Sequence, residues 1–141
     1  MTEVSILEQS VSVEGKPQSI TIQDSINLAK TAEKLGYKRF WVSEHHNHPT
    51  IIGSAPEVLM AAIASQTKTI RIGSAGIMLP HYSPFKVAEQ FRVLEALAPN
   101  RIDLGLGRAP GSDGRTALAL NRNSRIDSEQ FPVHVRDLMA W

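Results

Sequence analysis

The chain has 141 residues, 42% of them apolar and 21% charged, a balance that suits one globular domain with a sizeable core and excludes disordered and fibrous classes. Net charge is +1 with lysine and arginine scattered, so no basic stripe points to nucleic acid, and the lack of cysteine removes disulfides, thiolate zinc sites and cysteine nucleophiles together. The opening MTEVSILEQSVSVEG carries Glu3 and no long apolar run, so neither a signal peptide nor a membrane-spanning helix is expected and the default location is the cytoplasm.

In chain order, VSIL is a short β-rich run. Thr21 with Asp24 three residues on resembles a capping box, and Ile22, Ile26 and Ala29 recur at helical spacing, which predicts a helix over 22–35 closed by Gly36 as a left-handed cap. RFWVS at 39–43 reads as a strand. Ser54 with Glu57 forms a second capping box, with Pro56 in the first turn, and predicts a helix to about Thr67. TIRIGSAGIML at 69–79 reads as a strand interrupted at Gly73-Ser74-Ala75-Gly76, where a bulge or a closely approaching ligand is expected. Ser83-Pro84 starts the next helix, with Val87, Phe91, Leu94 and Ala98 on one face until Pro99-Asn100 ends it. RIDLGL at 101–106 is a fourth strand, and FPVHVRDLMAW is helical.

Strands alternating with helices define the α/β class with parallel strands. Strand starts near 4, 39, 69 and 101 give units of roughly 30–35 residues, close to the ~31 of an eightfold barrel. The expected architecture is of TIM-barrel type, with residues 1–141 forming the first four βα units, a half barrel. A doubly wound sheet is the alternative, but its phosphate loop should follow the first strand, where SVSVEGKPQS holds the single Gly15. A half barrel would expose the edges of its first and fourth strands, so self-association into a homo-oligomer is expected, and a non-catalytic assembly fragment is one alternative to an enzyme.

Ligands of such folds bind where strands end. Three clusters lie there: Glu44, His45, His46 and His48 after the second strand; GSAG in the third; and Gly105, Gly107, Gly111 and Gly114 with Arg108 after the fourth. The imidazoles read either as loop caps or as a metal pair in which His46 and His48 serve a barrel hydrolase. Adjacent His45 and His46 project to opposite sides of an extended chain. The glycines do not match G-x-G-x-x-G, and Ser74 lacks the G-x-S-x-G elbow of a serine nucleophile.

FWVSEHHN, IRIGSAGIMLPHYSPFKVAEQFRVLEALAPNRIDLGLGRAPG and FPVHVRDLM together resemble the bacterial luciferase-like flavin monooxygenase family over almost the entire chain. The resemblance implies a TIM barrel that uses reduced FMN, or a deazaflavin in one branch, with oxygen on a small organic substrate, the flavin supplied by a separate reductase. It assigns acid/base work to His45 and makes Glu44 a partner that orients a histidine. It also implies a non-prolyl cis peptide at Ala75-Gly76 under the flavin ring, and a flavin lining from Gly107 and Arg108, the arginine toward the phosphate. Some luciferases carry cysteine where Gly107 stands, so the resemblance does not extend to light emission. From charge and composition, neither a membrane nor a nucleic-acid partner is expected.

Overall fold

A computed structural model describes residues 3–141. Strand β1 (Ser5–Glu8) is followed by helix α1 (Gln18–Lys34), β2 (Arg39–Val42), α2 (Pro56–Gln66), β3 (Arg71–Ser74), β4 (Ile77–Met78), a 3₁₀ turn at Leu79–His81, and α3 (Pro84–Leu97). Then come β5 (Ile102–Asp103), β6 (Leu106–Gly107) and three helices, α4 (Gly114–Leu120), α5 (Ser124–Glu129) and α6 (Phe131–Met139). The main sheet is parallel and sequential, β1-β2-β3-β5, and β4 pairs with β6 as a second short parallel ladder. Sequential order suits the barrel expectation and not the doubly wound one, in which the chain reverses direction across the sheet.

Register sorts the side chains by the two-residue period of a strand. Ile6, Phe40, Ile72 and Ile102 lie in one row and face the helices. There Phe40 and Ile72 are sealed in one core with Ala29, Met60, Ile63 and Val87. The opposite row is Leu7, Trp41, Gly73 and Asp103, with Arg39 and Arg71 one pleat earlier. On this open face Asp103 accepts bonds from the Trp41 indole N–H (3.1 Å) and Arg71 Nε (3.0 Å), and Arg39 Nε lies 3.5 Å away. Burial favours the neutral acid, but the bonds from Arg71 and Trp41 and the charges of Arg71 and Arg39 outweigh it and hold Asp103 below the usual carboxylate range.

Several boundaries differ from the sequence reading. α1 begins at Gln18 behind Pro17, four residues early, and Thr21 is buried on its core face, where it cannot cap. Gly36 does take the left-handed conformation (φ 80°). Ser54 makes no capping bond, because α2 starts at Pro56 and the N-cap position falls on Ala55, one residue later than the expected box, where no side chain can accept. Ser83 caps α3 as expected, its hydroxyl accepting from Lys86 N at 3.4 Å. The third and fourth strands each break in two: Ala75-Gly76 is a cis peptide, and beyond it the chain pairs with a different stretch of the fourth unit. The fourth crossover contains three short helices, where the sequence shows only the last. No helix among the described residues is long and apolar enough to cross a membrane.

Candidate active site

Where β2 runs out, Ser43 N still bonds Glu8 O (2.9 Å), and the next side chain, Glu44, is wholly enclosed. A carboxylate in such a place must be satisfied on both oxygens. Oε1 accepts from Tyr82 OH (2.6 Å) and from His46 Nε2 (2.7 Å), and Oε2 accepts from Met78 N (2.9 Å). Glu44 thereby ties β2 to β4 and to the turn that follows it. Burial first, then the bond to Glu44 and its charge, push the Tyr82 phenol well above its ordinary range, which keeps it a donor.

The two adjacent imidazoles take different partners, as opposite projection requires. His46 turns to Glu44, and its backbone N–H donates to Gly111 O (2.9 Å). His45 is half-buried, with Nδ1 3.2 Å from Ser43 Oγ and its backbone N–H donating to Gly53 O (3.0 Å). His48 is a loop cap, its Nδ1 accepting from the N–H groups of Thr50 (3.2 Å) and Ile51 (3.0 Å). His46 and His48, considered as a metal pair, thus serve separate parts of the protein, and no cluster of three or more His, Asp or Glu suited to a metal ion occurs among the described residues.

The glycine-rich loop after β6 closes over this cluster. Gly107 pairs with Met78 in register, and Gly111 sits at φ 61° with its Cα hydrogen side only 3.1 Å, measured from an ideal Cβ, from Glu44 O and Met78 Cγ. His81 Nε2 donates to Pro110 O (2.7 Å), which leaves His81 Nδ1 buried and unpaired. Arg108 is exposed and donates through Nε to Ser128 O (3.0 Å) at the end of α5. Ala75, Gly76 and Gly107 are half-buried. Gly107 is the last residue of β6, Arg108 follows it, and His45 and Ala75-Gly76 come just after β2 and β3, so all five lie at or just past the C-terminal ends of parallel strands. Tyr82 and His81 were absent from the sequence reading; their only signal was a position between a strand and the Ser83 cap, inside the stretch that carries the family resemblance.

An open parallel sheet with a buried carboxylate, histidines and a glycine loop gathered at one end is an α/β strand-end site. The luciferase-like monooxygenase family model matches residues 2–127, and the chain belongs to that family. It is 49% identical to N-acetyl-S-alkylcysteine monooxygenase of Bacillus subtilis over 138 residues, 98% of this chain and 41% of that protein. The structure of apo-MsnO8 superposes with TM-score 0.92 at 45% identity, covering 99% of this chain and 42% of that one. The oxygenating constituent of 3,6-diketocamphane monooxygenase from Pseudomonas putida, a type II Baeyer-Villiger monooxygenase in complex with FMN, shares the fold at TM-score 0.85 and 23% identity, over 96% of this chain and 38% of its own. The chain therefore spans about 41% of the length of a curated relative that it matches almost end to end.

Proposed function

We propose that residues 1–141 form the N-terminal half of a luciferase-like TIM barrel and carry the catalytic side of a flavin-dependent monooxygenase that acts with oxygen on a small organic substrate. The observation that supports this most is the convergence of three strand ends: Met78 N on Glu44, His46 N on Gly111 O, and β4 on β6. That convergence gathers His45, Ala75-Gly76 and Gly107-Arg108 at one mouth.

The residues fit a flavin. Ala75, Gly76 and Gly107 offer half-buried backbone without bulky side chains, which suits a flat ring. Among the described residues Arg108 spends only Nε, so its terminal guanidinium nitrogens remain for a phosphate. We favour reduced FMN over a deazaflavin, delivered by a separate reductase, in a cytoplasmic protein. Bound reduced flavin would supply the electrons that activate oxygen. His45 would move the accompanying proton: Ser43 engages its Nδ1, and Nε2 carries no bond among the described residues. Glu44 fixes the loop geometry around it through its bonds to His46, Tyr82 and Met78.

A second reading, a non-catalytic assembly module, draws on the exposed apolar residues Leu7, on the open face of the edge strand β1, and Val11 and Val13 in the segment that follows it, which a second copy in a homo-oligomer would cover. Titration of the chain with FMN, oxidised and then reduced, with mass recorded by light scattering, separates the two. Uptake of reduced FMN supports the enzyme reading. A concentration-dependent mass with no uptake in either redox state overturns it and favours assembly.

A further inference from the structure

We infer that His46, held by Glu44, is a second proton-transfer group of this site. The inference rests on the flavin reading only for what the proton is used for; the tautomer and the free nitrogen stand on geometry alone. An ionised carboxylate can only accept, so the 2.7 Å contact to Glu44 Oε1 places the His46 proton on Nε2. Nδ1 is then a bare acceptor with no hydrogen bond among the described residues. It is not sealed either, since the buried ring nitrogens without partners are those of His81 and His134.

The contrast with the other histidines carries the argument. His48 spends its Nδ1 on backbone, which is the mark of a loop cap. His81 also has a bare Nδ1, but burial closes it to exchange. Only His46 among these joins a fixed N–H, a fully buried carboxylate and a side chain that remains 10% exposed. A buried carboxylate that fixes an imidazole tautomer and leaves the other nitrogen free to take a proton is the arrangement that primes histidine for acid/base work. When Nδ1 takes a proton the ring becomes an imidazolium and Glu44 neutralises it; when the proton leaves, the original tautomer returns. Glu44 is the positioning residue, and its remaining bonds to Tyr82 OH and Met78 N keep it from turning away.

The test is the ¹⁵N spectrum of the histidine-labelled 141-residue chain at alkaline pH, with His46→Gln assigning the signal. The expected result is a protonated Nε2 and a bare Nδ1 in the native chain, and loss of that exclusive form in Glu44→Leu, which offers His46 no acceptor. A native His46 protonated on Nδ1 overturns the inference without any variant, so a poorly folding Glu44→Leu does not decide the matter. In the second arm, H46Q should lower kcat with reduced FMN by at least about tenfold while flavin affinity stays within about twofold; unchanged kcat overturns the inference as well. Failure of the native chain to take up flavin would instead overturn the flavin reading and leave the tautomer measurement to decide this one.

Discussion

Trp41 lies directly across the strand pair from Gly73, so close that a Cβ built on Gly73 would come within 2.5 Å of Trp41 Cδ1 and 2.8 Å of Asp103 Cβ. The indole therefore lies over a residue without a side chain and donates its N–H to Asp103 on the far strand. Gly73→Ala should destabilise the chain by about 1–3 kcal/mol, the usual cost of overpacking. It should also shift the Trp41 emission as the indole is displaced. Denaturant unfolding followed by fluorescence checks both.

Glu33, near the end of α1, accepts from the backbone N–H groups of Lys68 (2.8 Å), Thr69 (2.6 Å) and Ile70 (3.0 Å), anchoring the loop that leads into β3. Burial alone would raise its carboxyl pKa, but the bonds from Thr69, Ile70 and Lys68 together bring it down to about 2. A depressed folded-state value means that the stabilisation is complete above the unfolded value near 4.5 and is lost as pH falls toward 2. Glu33→Gln should lower stability at neutral pH by about 1–2 kcal/mol and flatten the acid limb of a stability profile taken from pH ~2 to ~7.

The Tyr82 phenol is raised in the folded chain, so the sign is reversed. Its contribution is present below the ordinary tyrosine range near ~10 and is lost as pH climbs above it. In an absorbance titration, Tyr82→Phe should remove no tyrosinate signal at pH ~10–11 while the chain remains folded. It should also cost about 1–3 kcal/mol, because Glu44 loses one of three donors inside the protein.

His45→Ala should reduce turnover with reduced FMN by about 10²–10⁴-fold with little change in stability, since among the described residues the side chain makes one hydrogen bond, to Ser43, besides an edge-on approach to the His48 ring. Comparison of kcat with the unfolding midpoint checks this. Arg108→Ala should act the other way round, raising the Kd for FMN by about tenfold, the value of one charge-assisted bond, and leaving riboflavin, which has no phosphate, unaffected.

The periodicity of Val87, Phe91, Leu94 and Ala98 and the Ser83-Pro84 start made α3 legible because every signal there is local. Thr21 misled because a capping pattern and a buried threonine on a core face look alike until the partner strand is known. The three helices of the fourth crossover were hidden for a related reason: short helices such as Ser124–Glu129 have too few turns for a period to show. At the site, Glu44 and the histidines could be found because they are contiguous. Tyr82 could not, since its partner stands 38 residues away.

That separation has a bearing on how the chain acquires its chemistry during synthesis. Glu44 waits for Met78, 34 residues later, and His46 for Gly111. Until those segments leave the ribosome, the carboxylate has no donors beyond its own strand and must stay hydrated. The first two units can dock their helices early, but the Glu44 contacts wait for the third unit, and the bond from His46 N waits for the glycine loop after the fourth strand. A nascent chain would therefore become compact well before its strand-end cluster was complete.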